Sequence, residues 1–502
     1  MEPGAWSVLL LALPAAGLAV VLALPAAVAD RLARLIGLVA SGATLAVAGL
    51  MAVGFEPGHA ARIQYELDEK WAPAIGMRFH LGVDGVSLPL VVLTAGLSFL
   101  CFVHTMRSVP EPGRPRSFVA LLLLLEVGML GTFLVLDLIA FFVFFEIVLL
   151  PMYWLIAVWG DQHQRARAAA TRFILYTLLG SGLMLVGFLV VWAHMGTLDL
   201  VDLANRQGEG MSHRAQTLAF GAMLAGFAVK APLWPLHTWL PGAHTAAPTV
   251  GSVLLAGVLL KMGTYGLVRT ALPVVPEGAA ELAPYLGILA VTGIVYGSLA
   301  CLGQRDLKRL IAYSSVGHMG FVLLVLATLT PAGINGALYA NVAHGVITGL
   351  LFFLAGEIKR GYGSADLATI GGGLYARAPR LGVVVAFTAV ASLGLPGLAG
   401  FWGEFLAITG AFDPAEALHR GLFLTLMAVA GLGTVVTAAY LLVLVRRVCM
   451  GPGPAGAVRL DVSPVELALW TPLMLAIVVL GLWPRTLLAL TDPAVHALLG
   501  GG

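Results

Sequence analysis

Uncharged apolar runs of about twenty residues recur along almost the whole chain, and this repetition restricts its possible folds more than any other feature. A helix needs about 20 apolar residues to cross the hydrocarbon core of a bilayer. Of the 502 residues, 59% are hydrophobic and 11% are charged, whereas soluble domains carry about 25% charged residues. The sequence therefore predicts an all-α polytopic membrane protein. The fourteen predicted spans are residues 8–28, 33–55, 82–106, 117–136, 138–160, 170–194, 216–240, 246–270, 281–302, 308–329, 333–355, 381–410, 420–446 and 464–482.

The lysines and arginines of the loops are distributed unequally between the two sides of the predicted membrane. With the N-terminus outside, eighteen of the 28 cationic residues fall in inward loops, eight in outward loops and two inside spans. Cationic loops stay in the cytoplasm, so this bias predicts that both termini lie outside. The inward set includes Lys308 and Arg459, and the outward set includes Arg269.

Several function classes are excluded by what the sequence lacks. Cys101, Cys301 and Cys449 are far apart and form no CxxC or Cys/His cluster, so the sequence offers no disulfide framework, iron–sulfur site or zinc site. It contains no GxxxxGK phosphate-binding loop. The net charge of +2 lacks the basic excess of a nucleic-acid-binding protein. Electron transfer or nucleotide chemistry is therefore expected to belong to a partner.

Two of the five lysines, Lys230 and Lys261, lie in the hydrophobic middle of predicted spans. Charged side chains inside a bilayer are costly and by default indicate a functional site. Arginine cannot release its proton in a protein, whereas a desolvated lysine can. We therefore expect both lysines to titrate. The alternative is that each extends its ammonium group to an interface or forms a static ion pair.

Two glutamates are the matching acidic candidates. Glu146 follows an aromatic run that begins at Phe141, and a carboxylate in such surroundings needs a partner. The natural partners are Lys230 and Lys261, because a Glu–Lys pair whose separation changes can act as a proton switch. Glu404 is the second candidate, in a predicted span with no loop within several residues. Each glutamate could instead be a structural carboxylate with satisfied hydrogen bonds.

His318 and His344 lie in adjacent predicted spans, between the acidic and lysine candidates in the chain. Imidazole titrates near neutrality, so two such residues can relay protons. A lone histidine in a helix is more often a hydrogen-bonded core residue, and this alternative applies to each of them.

The remaining polar candidates have less definite roles. His237 and His244 flank Pro241 at a predicted helix end, where they either take part in function or only cap freed carbonyl groups. Glu126 lies inside a predicted span and either belongs to an outer-side or lateral charge chain or has only a structural role. Asp137 is expected in a loop.

Helix-breaking prolines lie beside an ionisable residue in two predicted spans. Pro232 and Pro235 follow Lys230, and Pro396 precedes Glu404. The carbonyl groups that proline frees are tolerable in a bilayer only beside protein or a water-filled cavity. The breaks fall in the seventh and twelfth spans, each the fourth helix of a group of five, which predicts two inverted five-helix repeats; irregular packing is the alternative. The predicted segments are a three-helix segment 1–116, a first repeat 117–270, a second, inverted repeat 271–447 and a C-terminal helix segment 448–502.

Several stretches match a known family pattern as a set. They are residues 80–89, 145–153, 230–263, 306–315, 397–401 and 492–493. In them the sequence resembles the antiporter-like membrane subunits of respiratory complex I, the bacterial proton-pumping NADH:quinone oxidoreductase. The resemblance covers nearly the whole chain from residue 79 onward and is highly specific.

The resemblance implies fourteen helices, inverted repeats and a relay in which Glu146 pairs with Lys230 and Glu404 is the exit residue. The implied relay residues are Glu146, Lys230, Lys261, His318, His344 and Glu404. No cofactor is implied in this chain, whereas FMN, iron–sulfur clusters and quinone are implied in partner subunits. The implied partners are other complex I membrane subunits, including the L and N types, which generally carry lysine where this chain has Glu404. The implied location is the bacterial inner membrane, with both termini periplasmic.

Two other functions remain open from the sequence. A subunit of an Mrp-type cation/proton antiporter or of a membrane-bound hydrogenase would use the same helices without NADH. The subunits that co-purify with the chain would identify either one. An independent solute carrier would instead transport its substrate as the purified chain in liposomes.

Overall fold

The helices of the protein follow its apolar runs. The computed structural model describes residues 2–451 and 461–500, and within them twelve helices are long and apolar enough to cross a membrane. A helix satisfies its backbone hydrogen bonds internally, as a bilayer requires. The predicted polytopic helical class is confirmed. Arg459, and residues 452–460 and 501–502 of the predicted C-terminal segment, lie outside the described residues.

The helices are numbered along the chain. The first twelve are α1 (Pro3–Ala23), α2 (Ala26–Gly54), α3 (Leu88–Arg107), α4 (Pro115–Leu134), α5 (Leu138–Ile147), α6 (Leu149–Trp159), α7 (His163–Met195), α8 (Leu200–Arg206), α9 (His213–Lys230), α10 (Leu240–Ala246), α11 (Thr249–Leu254) and α12 (Leu260–Gly266). The others are α13 (Pro276–Leu302), α14 (Leu307–Leu326), α15 (Pro331–Tyr362), α16 (Leu367–Ile370), α17 (Leu374–Arg377), α18 (Pro379–Ser392), α19 (Ala399–Phe412), α20 (Arg420–Cys449), α21 (Pro464–Leu482) and α22 (Arg485–Leu498).

Each predicted span has a helical counterpart. Twelve correspond to the long apolar helices, with α5 and α6 together filling one of them. The other two correspond to interrupted helices, α9 with α10 and α18 with α19. The number of membrane crossings and the inverted repeats stay predictions.

Both interruptions occur where the prolines predicted them. The first separates Lys230 from Leu240, and the second separates Ser392 from Ala399. A proline has no backbone N–H to donate, so the helical ladder cannot continue through it. In the second gap Gly394 has a φ of 79°, a conformation that glycine adopts without the steric penalty of a Cβ atom.

The eighth predicted span is irregular in a different way. A π-helical turn, Leu255–Leu259, separates α11 from α12, and a second, Leu267–Ala271, follows α12. Lys261 lies between these two turns. Single π turns inside helices occur frequently at functional sites.

A β-hairpin before α3 was not predicted. Strands β1 (Gln64–Ala72) and β2 (Met77–Val83) pair antiparallel, with Asp68 opposite His80. The Ser7 hydroxyl of α1 donates to the Tyr65 carbonyl at 2.7 Å and attaches the hairpin to α1. The many charges of this stretch resemble those of a loop, which is why apolar patterning alone missed it.

The chain divides into two compact units. The first contains Met1–Ala231, Val258–Pro284 and Leu487–Gly502, and the second contains Pro232–Gly257 and Tyr285–Thr486. The predicted segment boundaries at residues 116, 270 and 447 stay predictions.

Candidate functional site

In the first unit, Glu146 lies in the last turn of α5, where aromatic rings join α5 to α9. Phe141 and Phe145 stack at a centroid distance of 5.7 Å, and Phe145 meets Phe227 of α9 edge-on at 6.0 Å. These ring contacts bring the end of α5 against the end of α9. One carboxylate oxygen of Glu146 is buried and has no hydrogen-bond partner among the described residues.

Lys230 is the last residue of α9, and its side chain is directed at the end of α5. Only 2% of the residue is exposed. Its Nζ atom donates to the Phe145 carbonyl at 3.5 Å and lies 4.2 Å from the centroid of the Phe145 ring. The structure therefore brings Lys230 to the residue that precedes Glu146. The ammonium group of Lys230 contacts a neutral carbonyl and a ring face. A small shift toward the Glu146 carboxylate would therefore strongly change the attraction between Lys230 and Glu146.

Lys261 is fully buried on α12, which packs directly on α9. The contact needs a glycine, because a Cβ atom at Gly263 would lie 2.8 Å from the Phe227 carbonyl oxygen and 2.9 Å from the Ala231 nitrogen. The backbone of α12 near Lys261 thus packs closely against the backbone of α9 near Lys230. The hydroxyl of Thr264 donates to the Lys261 carbonyl at 3.1 Å.

In the second unit, His318, His344 and Glu404 come together. The rings of His318 on α14 and His344 on α15 lie 5.6 Å apart between centroids. His318 Nδ1 lies 3.7 Å from Glu404 Oε1, and its Nε2 lies 3.2 Å from the Ser392 hydroxyl. His318 thus lies between a hydroxyl group and a carboxylate, either of which can exchange a proton with an imidazole.

A cavity of about 30 Å³ lies among these side chains. Its polar lining consists of His318, His344, Ser392 and Glu404, and the remainder is apolar or glycine. A water molecule needs roughly 10–15 Å³ of such space and two to four polar partners, so this cavity has room for about two waters. Neither carboxylate oxygen of Glu404 has a hydrogen-bond partner in the described part of the chain. Water is therefore a suitable link between the carboxylate and the imidazoles.

The break between α18 and α19 shapes this cavity. Ser392 ends α18, and Gly394 follows it at positive φ. A Cβ atom at Gly394 would lie 2.8 Å from Glu404 Oε2. The interrupted backbone therefore passes directly beside the carboxylate, which only a glycine permits. Sequence analysis did not single out Ser392; its position at the proline break was the available signal, but its contact with His318 depends on tertiary packing.

The other two histidine candidates pack against aromatic rings. His237 is 2% exposed and lies 5.0 Å from Tyr296 and 6.4 Å from Tyr313 between ring centroids. His244 is fully buried and stacks on Phe352 at 4.5 Å. Neither residue lines the cavity at Glu404.

Sequence reasoning placed Arg269 in an outward loop, but the structure places it in a buried ion pair. Its Nη2 atom lies 2.5 Å from Asp84 Oδ1, and its Nε atom donates to the Tyr265 hydroxyl at 3.3 Å. Both charged residues are at most 4% exposed. Asp84 also accepts the backbone N–H groups of Val86 and Ser87 at 3.0 Å. Tyr265 and Arg269 are four residues apart, a spacing that places two side chains on the same face of a helix. This spacing could have indicated their contact from the sequence.

Lys308 also differs from its predicted place in a cytoplasmic loop. It lies in the first turn of α14, is 2% exposed, and donates from Nζ to the Ala247 carbonyl at 2.8 Å. Ala247 follows the last residue of α10. The lysine thus satisfies a carbonyl that the end of α10 leaves without a helical partner.

The two remaining acidic candidates, Glu126 and Asp137, both accept hydrogen bonds. Glu126 on α4 is fully buried and accepts a hydrogen bond from the Ser41 hydroxyl of α2 at 3.0 Å. Asp137 caps the start of α5 by accepting the N–H groups of Ile139 and Ala140. The capping role agrees with the predicted position of Asp137 outside a span.

A further charged cluster joins the hairpin to the segment before α8, outside the spanning helices. His80 Nδ1 lies 2.6 Å from Asp199 Oδ2, and His80 Nε2 lies 2.9 Å from Glu66 Oε1. Burial lowers the pKa of His80, but hydrogen bonds to Asp199 and Glu66 and the negative charges of Asp199 and Asp68 outweigh it, so the pKa is raised above 6.5. Burial raises the pKa of Asp199, but the contacts with His80 outweigh it and lower the pKa below 3.8. Only a protonated imidazole can donate to both carboxylates.

Comparisons with known proteins agree over almost the full length. Residues 136–431 match the family described as NADH:quinone oxidoreductase/Mrp antiporter, TM. The chain is 38% identical to NADH-quinone oxidoreductase subunit M of Rhodobacter capsulatus, over 94% of this chain and 91% of that protein. It is 37% identical to NADH-ubiquinone oxidoreductase chain 4 of Arabidopsis thaliana, over 94% and 92%. A chain in the structure of respiratory complex I from Thermus thermophilus with bound NADH superimposes with a TM-score of 0.87 at 30% identity, over 99% of this chain and 100% of that one.

Proposed function

The chain belongs to the NADH:quinone oxidoreductase/Mrp antiporter family of transmembrane proteins, and we propose that it is the M-type, proton-translocating membrane subunit of an NADH:quinone oxidoreductase. The observation that carries the proposal is the buried ammonium group of Lys230 at the end of the helix that bears Glu146. NADH oxidation and quinone reduction, with FMN and iron–sulfur clusters, belong to partner subunits. This chain supplies titratable groups that respond to that chemistry.

In the first unit, Glu146 and Lys230 act as a switch whose state depends on their separation. At an effective dielectric constant of about 20, two opposite charges attract by about 4 kcal/mol at 4 Å and about 2 kcal/mol at 8 Å. Moving one proton against 100 mV requires about 2.3 kcal/mol. A change of a few ångströms between the two side chains is therefore comparable with the work of pumping. Lys261 is the next proton carrier, held on the helix that packs against Lys230.

In the second unit, His318 and His344 deliver protons to Glu404. The 3.7 Å between His318 and Glu404 is too long for a direct hydrogen bond. A bridging water in the adjoining cavity, or a small movement of either side chain, closes this gap. Transfer breaks an N–H bond of the imidazole and forms an O–H bond on the carboxylate, from which the proton leaves to the outside.

Family membership supports a proposal for the location and partners of the chain. We place the chain in a bacterial inner membrane, next to other complex I membrane subunits that include the L and N types. The cationic loops face the cytoplasm, and both termini face the periplasm. Protons then move from the cytoplasm to the periplasm.

The family description also covers Mrp antiporters, so a cation/proton antiporter subunit is the second candidate. The two reported relatives, both NADH-dependent oxidoreductase subunits at 37–38% identity, favour the first candidate. Purification of the native assembly separates them, because only the first candidate co-purifies with a flavoprotein that oxidises NADH.

Lys230→Arg in the assembled complex tests the proposed function most directly. Arginine keeps the positive charge and most of the side-chain volume but cannot release a proton. We expect NADH-driven acidification of inverted membrane vesicles to fall at least about tenfold, since a positioned proton-transfer group contributes roughly 10²–10⁴-fold. NADH oxidation with a soluble artificial electron acceptor reports assembly and should be unchanged.

The control is Lys70→Arg, a conservative change at an exposed position of β1. It should leave acidification as in the wild type. Wild-type acidification by the Lys230→Arg complex would refute the switch.

A further inference from the structure

A set of buried hydroxyl groups connects α13, α14 and α20 in the second unit. Ser298 on α13 lies 3.1 Å from Thr437 on α20, between hydroxyl oxygens. Ser314 on α14 lies 2.7 Å from the Tyr440 hydroxyl of α20. All four residues are at most 3% exposed. We call them the hydroxyl chain.

These hydroxyl groups are paired in an unusual way for helical serines and threonines. Such side chains commonly donate to a backbone carbonyl one turn earlier in their own helix. Thr388 donates to Val384 in this way at 2.7 Å, and Ser315 donates to Ile311 at 3.2 Å. Ser314, the direct neighbour of Ser315, bonds across to another helix instead. Both cross-helix pairs join two hydroxyl groups, and a hydroxyl group can both donate and accept a hydrogen bond.

The hydroxyl chain approaches Glu404 through α14 and His318. Ser314 lies four residues before His318 on α14, so the two side chains are neighbours on one face of that helix. His318 Nδ1 in turn lies 3.7 Å from Glu404 Oε1. Thr437 lies three residues before Tyr440 on α20, so these two side chains are also neighbours. Polar side chains thus continue from the carboxylate through His318 to Ser314.

The other end of the hydroxyl chain points to the cationic ends of the same helices. From Thr437 to Tyr440 the hydroxyl chain follows α20 toward its last turn, which carries Arg446 and Arg447. The first turn of α14 carries Lys308 and Arg309, and Ser314 lies about two turns after the start of this helix. Cationic helix ends are those expected in the cytoplasm.

We propose that Tyr440, Ser314, Thr437 and Ser298 form a proton-conducting branch that supplies Glu404 from the cationic end of the second unit. This inference rests on the proposed function, in which Glu404 is a proton carrier. At each step a hydroxyl oxygen forms an O–H bond to the arriving proton while its own O–H bond breaks toward the next oxygen. No net charge stays on the chain between transfers, so its buried position needs no counter-ion.

The experiment is Tyr440→Phe in the assembled complex, because phenylalanine keeps the ring and removes only the hydroxyl. We expect NADH-driven acidification of inverted vesicles to fall roughly tenfold. Deuterated water should slow acidification by the variant more than acidification by the wild type, because proton transfer limits the rate in the variant. Reduction of a soluble artificial electron acceptor should stay unchanged.

The matched control is Tyr339→Phe. Tyr339 is also a buried tyrosine of the second unit, but its hydroxyl donates to the backbone carbonyl of Leu480. Its loss removes one buried hydrogen bond without interrupting a chain of hydroxyls. Acidification should therefore stay close to wild type, with no added effect of deuterated water.

A comparison with Glu404→Gln separates failure of the branch from failure of the proposed function. Wild-type acidification by Tyr440→Phe, while Glu404→Gln stops it, would overturn the branch and leave the proposed function intact. Equal losses in Tyr440→Phe and Tyr339→Phe would also overturn it, because the hydroxyls would then only join helices. Wild-type acidification by Glu404→Gln would overturn the proposed function itself.

Discussion

At the scale of residues, buried charged groups of this protein are held in two different ways. The Oδ1 atom of Asp84 accepts hydrogen bonds from Arg269 and from two backbone N–H groups. Glu404 has neither oxygen within hydrogen-bonding distance of a partner among the described residues. A fully bonded pair fixes a structure, whereas a carboxylate beside a polar cavity can change its partner. We therefore assign a structural role to the first and a transfer role to the second.

The structural role of the Asp84–Arg269 pair can be tested by breaking and then removing it. Asp84→Asn leaves the buried guanidinium without its counter-charge, which costs about 3–5 kcal/mol. Thermal unfolding in detergent should show a large loss of stability. The double variant Asp84→Asn/Arg269→Met should recover part of it, because no charge then stays buried.

The control for this prediction is the partly exposed pair of Arg78 and Asp68, whose side chains are about one third exposed. Pairs near solvent contribute about 0–1 kcal/mol, so Asp68→Asn should change the unfolding temperature little. An Asp84→Asn protein as stable as the wild type would contradict the structural role.

At the scale of elements, two interrupted helices place the ionisable side chains. Lys230 ends α9 before a proline-containing gap, and Glu404 lies five residues after α19 begins at Ala399. Prolines and apolar runs made these elements predictable from the sequence. The contact of Ser392 with His318 and the cavity around Glu404 were not predictable, because they depend on how separate helices pack. Arg269 was misplaced because counting loop cations ignores partners that lie far away in the chain.

The β-hairpin should depend on pH through the cluster of His80, Asp199 and Glu66. The pKa of His80 is raised above 6.5. The contribution of its proton to the stability of the hairpin is therefore complete below pH 6.5 and is lost as the pH rises through the raised pKa. The pKa of Asp199 is lowered below 3.8, so its contribution is lost only under acid conditions. A hydrogen bond to a charged group contributes about 1.5–3 kcal/mol. Above the raised pKa, the protection factors of β2 amides against hydrogen exchange should therefore fall about tenfold, after correction for the pH dependence of the intrinsic rate.

His80→Gln is the diagnostic variant for this prediction, measured by hydrogen exchange at matched pH. In this variant the amides of β2 should have low protection against exchange at every pH. His59 pairs with Glu56 at an exposed position, so His59→Gln should keep the wild-type profile. Protection of β2 that is the same at pH 6 and at high pH would rule out the effect.

At the scale of the whole molecule, each compact unit contains its own set of titratable groups. Glu146, Lys230 and Lys261 lie in the first unit. His318, His344 and Glu404 lie in the second. All six were candidate relay residues in the sequence because they lie inside apolar spans, and their roles stay predictions. The sequence could not predict the division into units, because the chain crosses between them four times.

The orientation of the molecule in the membrane can be tested with thiol labelling. Cys101, Cys301 and Cys449 are buried, so the native chain should react slowly with a membrane-impermeant maleimide. Ser108 and Ser212 are exposed, and the cationic loops place them on opposite sides. Ser108→Cys should react only from the cytoplasmic side and Ser212→Cys only from the periplasmic side. Reaction of Ser212→Cys from the cytoplasm would contradict the orientation.

The position of Lys230 as the last residue of α9 links its proton to the helix itself. The C-terminal end of a helix carries a partial negative charge, which a cation there stabilises. A protonated Lys230 therefore strengthens the final turn of α9, where the Ala231 N–H donates to the Phe227 carbonyl. Such coupling is reciprocal. A change that opens this final turn must therefore favour deprotonation of Lys230 by the same free energy. Unwinding of the end of α9 and loss of the lysine proton are thus coupled.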